Sequence, residues 1–140
     1  MDKKIIILIM IAGMFLVGCS TDIDVPFEKF SLSALCFEQN TEFGRRGVVI
    51  QNEEDYRGKL HELCEDKVIP EVDFSKHTLL GISISSTGSN QFTKSLKINH
   101  AQKEATYSVS VPKSNTQANI MNNDLVIASK IPDDYTIELK

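Results

Sequence analysis

Three cysteines, three histidines and one short segment mixing aspartate, serine and histidine carry most of the chemical potential of this 140-residue chain. A thiol such as Cys19, Cys36 or Cys64 can take a covalent group, pair with another thiol or bind a metal. Asp73, Ser75 and His77 are the residue types of nucleophilic catalysis. His61 lies three residues before Cys64, one helical turn away, a spacing that suits two zinc ligands. Zinc needs four ligands at organised spacing, and only one more histidine lies nearby, so no metal or cofactor is expected. Catalytic triads are assembled from separate elements, whereas Asp73, Ser75 and His77 share one extended segment. There the aspartate and serine are expected to shape a turn into a strand, with Phe74 in the core and Lys76 and His77 as solvated flankers. Arg45-Arg46 suits an anion or acidic partner, or simple loop solvation. Asn122-Asn123-Asp124 and Asp133-Asp134 read as turns, because calcium needs about 6–8 organised oxygens.

The first twenty residues decide which cysteine does what. Met1-Asp2-Lys3-Lys4 is a short basic start, and Ile5 to Val17 is an uncharged apolar run of thirteen residues. Roughly 20 apolar residues are needed to span a bilayer, so this run is a secretory signal and not a membrane helix. It ends Leu16-Val17-Gly18-Cys19, where small Gly18 fits a peptidase pocket and Cys19 offers a thiol. The segment closely resembles the bacterial lipobox. That resemblance implies cleavage after Gly18 and lipid on Cys19. Each buried CH₂ contributes about 0.8 kcal/mol, so the two or three chains typical of such proteins hold firmly. Ser20, in place of an aspartate directly after the cysteine, favours the outer membrane in the Gram-negative sorting pattern. Asp22 and Asp24 point weakly to its outer face.

Removal of residues 1–18 leaves 122 residues with 13 basic and 18 acidic side chains, net −5. That length suits one domain, expected over 28–140, with 19–27 as a lipidated tether. An acidic balance argues against nucleic acid, which wants a basic stripe. The absence of tryptophan disfavours a sugar-stacking platform. Cys36 and Cys64 remain as an even pair outside the cytoplasm and read first as a disulfide, which would contribute roughly 2–4 kcal/mol.

Periodicity supplies the elements. Phe30 to Phe37 is a first strand or an extended wrap, and Val48-Val49-Ile50 is a short strand bounded by Gly47 and Asn52. Asn52 caps a helix with Glu53, Glu54 and Asp55 in its first turn. Tyr56, Leu60, Leu63 and Cys64 form its apolar stripe, and Asp55 can pair with Lys59. The helix should stop before Pro70. Strands follow at Thr78–Ser85, around Phe92–Ile98 with Lys94 as an inward exception, and at Ala105–Val111. Ser114–Asn123 reads as a loop, and Leu125–Ala128 and Tyr135–Leu139 as the last strands. Short links favour an antiparallel meander. The expected fold is α+β: about five to six meandering strands with one helix packed on one face.

Asn52-Glu53-Glu54-Asp55-Tyr56, Cys64, and Pro70-Glu71-Val72-Asp73-Phe74-Ser75-Lys76-His77-Thr78-Leu79-Leu80-Gly81 resemble a group of small anaerobe lipoproteins. Val48 to Lys140 is distantly similar to the PrcB-like protease-complex-stabilising C-terminal domain. That similarity implies a small β-rich domain used in protein contact. The chain departs from it at Thr87-Gly88-Ser89-Asn90-Gln91-Phe92, where PrcB-like domains carry Gly-Gly-Tyr. The function expected is a lipid-anchored, non-catalytic envelope module that meets an unidentified protein partner. A protease inhibitor or stabiliser is the alternative, presenting Ser114–Asn123. A small-ligand binder or hydrolase is the third reading.

Overall fold

Leu79 and Leu80 are neighbours in one strand, and both are fully buried. Successive side chains in a strand point to opposite faces, so this strand must be covered on both. A computed structural model shows how. It describes residues 21–31, 47–63, 69–86, 91–112 and 120–140, with backbone alone for 61–63, 86 and 120–122. The described residues form β1 (Ile23–Asp24), β2 (Phe27–Lys29), β3 (Val48–Ile50), α1 (Glu53–Leu63), β4 (His77–Ser86), β5 (Thr93–Asn99), β6 (Glu104–Ser110), β7 (Ile120–Ser129) and β8 (Thr136–Leu139). One sheet has the order β1-β5-β6-β8 and the other β2-β7-β4-β3. Every pairing is antiparallel except β6 with β8.

Three layers result. Leu79, Leu125 and Ile50 on one face of the β2-β7-β4-β3 sheet pack with Tyr56 and Leu60 of α1. Leu80, Val126 and Ala128 on its other face pack with Leu96, Ile98, Ala105 and Tyr107 of the second sheet. The architecture is α+β, and the described residues hold one helix and more strands than the five or six expected. The connections also differ from a simple meander. Among the described residues β5 and β6 form a direct hairpin and β3 pairs with β4 across the helix, while β4 also pairs with β7 across the hairpin. The physical reason is the two-sided apolar character of β4 and β7, which puts both in the middle layer. The one-sided strands β5 and β6 form the outer layer, where one face can meet water.

Local chemistry fixes the helix. Asn52 Oδ1 accepts the Asp55 N–H at 2.8 Å, and Asn52 Nδ2 donates to the Asp55 carboxylate at 3.0 Å. This is the expected N-cap, with Glu53, Glu54 and Asp55 at the positive end of the helix dipole. The expected Asp55–Lys59 pair does not form. Lys59 reaches the Val49 carbonyl at 3.4 Å instead, and Arg57 pairs with Glu53 at 2.6 Å. The chain reaches β3 through Gly47, whose φ is +69° and whose added Cβ would lie 2.5 Å from the Gly81 carbonyl oxygen. Only glycine meets both demands without strain.

The segment expected to be a tether, residues 19–27, contains β1 and the first residue of β2. β1 lies at the edge of one sheet and β2 at the edge of the other, with Val25-Pro26 crossing between them. Asp22 is already fixed, because its carboxylate accepts a hydrogen bond from Asn99 Nδ2 at 3.1 Å.

Candidate functional site

The residues expected to carry lipid (Cys19), peptidase recognition (Leu16, Val17, Gly18) and the disulfide (Cys36, Cys64) lie outside the described residues, as do Arg45 and Arg46. Three polar constellations are within them.

The first is the Asp73–His77 turn that enters β4. Ser75 Oγ donates to Asp73 Oδ1 at 2.5 Å, and the Ser75 N–H donates to the same oxygen at 3.0 Å. Lys76 adds an ion pair at 3.1 Å. These groups, the Ser75 hydroxyl first, lower the Asp73 carboxyl from the ordinary 3.8 to about 2. His77 Nδ1 lies 3.2 Å from the Asp73 main-chain oxygen, not from its carboxylate. A relay needs histidine between serine and acid. Here the serine bonds the acid directly and the histidine is turned to the main chain, so the arrangement shapes a turn. Phe74 packs on Tyr56 with ring centroids 5.3 Å apart, which joins the turn to the helix. The Tyr56 hydroxyl donates to the Pro70 carbonyl at 2.6 Å, and burial above all pushes its pKa up to about 12.

Beside this turn is an open groove of about 230 Å³ at the β2–β7 edge, with Glu28, His77 and Ser129 among its polar walls and Pro26 and Ile127 among its apolar ones. Drug-sized ligands occupy pockets of roughly 300–1,000 Å³ that enclose most of their surface. This groove is smaller than that range and open to solvent. No group of three or more metal-ligating side chains converges anywhere among the described residues.

The third constellation was not foreseen. Asn122, Asn123 and Asp124, expected in a turn, belong to β7. Asp124 points between the sheets and is 8% exposed. Its carboxylate pairs with Lys94 of β5 through one oxygen and accepts the Tyr107 hydroxyl of β6 at 2.5 Å through the other. Burial first, and then the Asp124 carboxylate, push the Tyr107 pKa up. Both oxygens are therefore engaged across the sheet interface, and no buried side-chain polar atom among the described residues lacks a partner. Lys94, the one charge on the inward face of β5, was the available signal; a lone inward charge implies an opposite charge in the facing layer.

Outside this interior the first sheet presents a flat polar face. The inward set Leu96, Ile98, Ala105 and Tyr107 leaves Thr93, Ser95, Lys97, Thr106, Ser108 and Ser110 pointing outward, with the Ser95 and Ser108 hydroxyls 2.8 Å apart. β8 is terminal in this sheet. The Thr136 and Lys140 amides donate to Lys103 and Tyr107 carbonyls, each at 2.9 Å. Strand alternation then directs the Ile137 and Leu139 amides away from β6. No known family model, curated protein or solved structure matches this chain.

Proposed function

We propose that this protein is a lipid-anchored, non-catalytic component of the bacterial cell envelope, held through Cys19 at the outer membrane and acting by contact with a protein partner. The observation that carries the partner reading is β8. It is the longest of the four terminal strands, and it directs two amides away from its only ladder partner among the described residues. A strand edge of that kind accepts an added strand, with main-chain hydrogen bonds giving affinity. The internal use of Asp124, Lys94 and Tyr107 is consistent with a scaffold, since these groups are consumed in joining the sheets. Cys36 and Cys64 form the disulfide in this reading.

The test is photo-crosslinking in intact cells with benzoylphenylalanine in place of Glu138. A discrete protein adduct is expected, and Ile137→Pro should abolish it, since proline removes an outward amide at an edge. Recovery of lipid alone, or an adduct indifferent to Ile137→Pro, argues against the proposal. A protease-directed role through Ser114–Asn123 has less room, because Ile120–Asn123 are part of β7. A ligand-binding role would fall to the small groove beside His77.

A further inference from the structure

The two-stranded start of the fold limits how far the molecule could stand from a lipid carried on Cys19. This inference rests on lipid at Cys19. Asp22 is hydrogen-bonded to Asn99, Ile23 pairs with Ile98, and the Val25 amide donates to the Leu96 carbonyl at 2.9 Å. The chain is therefore part of the sheet from residue 22 onward. Three residue steps separate Cys19 from Asp22, a reach of about 11 Å at full extension. The headgroup layer of one leaflet is itself about 5–8 Å thick. A lipidated residue at the base of that layer leaves only a few ångströms of slack, so the domain has no free tether.

The direction of β1 says which end is held. β1 is antiparallel to β5, so the chain arrives from the β5–β6 turn, residues 99–103. The segment between β7 and β8 is at the same end. His100 Nδ1 lies 2.8 Å from the Tyr135 hydroxyl, and Lys103 pairs with Asp134 at 2.6 Å. This end also carries Ile23, 50% exposed and the one large apolar side chain exposed among the described residues. A bare isoleucine and a tyrosine with a polar tip are the side chains that suit the boundary between headgroups and acyl chains.

We infer that the end of the molecule formed by Ile23, His100, Gln102, Lys103 and Tyr135 rests on the lipid headgroups. The strand edge at β8 and the polar face of the first sheet then stand up from the surface, open to a partner. The opposite end of the β5–β6 hairpin, at Thr93 and Ser110, lies six residue steps away, about 20 Å farther from the membrane.

The test uses the full-length lipidated protein in vesicles of phosphatidylethanolamine and phosphatidylglycerol. Benzoylphenylalanine replaces either Gln102 or Ser110, and lipid adducts are counted by mass spectrometry after irradiation. Several-fold more adduct at Gln102 is expected. A flexible insertion of about ten Gly/Ser residues after Ser20, with an r.m.s. reach of roughly 17 Å, should erase the difference. Equal adduct at both positions, or a difference unaffected by the insertion, overturns the inference while leaving the anchor intact. A residue 19 without lipid in the same mass spectra overturns the anchoring itself.

Discussion

Asp124 is the side chain whose loss the fold should feel most, because it is shared by both sheets. Asp124→Ala leaves the Lys94 ammonium and the Tyr107 hydroxyl without their acceptor between two apolar layers. Breaking a buried pair by removing one partner costs about 3 kcal/mol or more. A drop of that order in the free energy from urea unfolding is expected. The triple change Lys94→Met, Asp124→Leu and Tyr107→Phe should recover most of it, since apolar replacement of a buried pair is often neutral. Asp73 makes the opposite case, a strongly bonded carboxylate at the surface. Its folded pKa of about 2 lies below the ordinary 3.8. Its contribution to stability is therefore complete above about pH 4 and disappears as pH falls through about 2. Carboxyl NMR titration should give that low midpoint, and Ser75→Ala should move it upward, because the serine hydroxyl is the largest cause. The turn role of Asp73 and Ser75 was legible from residue types alone, since short polar side chains bond nearby backbone. Asp124 was not, because its partners are 30 and 17 residues away and no local pattern ties them together.

At the scale of elements, the helix was the most legible part. Its cap, acidic first turn and stripe are all local signals, and Asn52, Tyr56 and Leu60 take the expected places. Asn52→Ala should cost about 1 kcal/mol, seen as a lower thermal midpoint with unchanged helix content below it. The positions of strands were legible too, through their period of two, but their partners were not. Short links argue for neighbours, whereas burial on both faces argues for a middle layer, and burial won for β4 and β7. The clue was in the runs Leu79-Leu80 and Leu125-Val126-Ile127, which are too apolar for strands with a wet face. Gly47→Ala provides a second test at this scale. It places a side chain in a left-handed conformation against the Gly81 carbonyl, so β3 should pair less firmly with β4. Faster hydrogen exchange at Val48–Ile50 is the expected readout.

For the whole molecule, the proposed disulfide and the proposed anchor act on different quantities. Reducing a Cys36–Cys64 bridge should lower stability by roughly 2–4 kcal/mol, measured as a shift in the denaturant midpoint, and leave membrane attachment unchanged. Cys19→Ser should move the protein from the membrane fraction to the soluble one and leave the denaturant midpoint unchanged. Under this proposal the layers would keep the two effects apart. Residues 22–29 are stitched to the edges of both sheets, while the core is closed by β4, β5, β6 and β7.

That stitching has a mechanical consequence. Tension applied at the N-terminal end of β1 pulls along the strand and not across it. The Ile23–Ile98 and Asp24–Lys97 pairings and the Val25–Leu96 hydrogen bond would then be loaded in parallel, as in shear, instead of opening one after another like a zipper. Behind them, Phe27 packs edge-on against Tyr107 with centroids 5.5 Å apart, so slippage of the first strand is resisted by an aromatic contact in the core. These contacts would resist a pull along β1 together, and a pull across it one at a time.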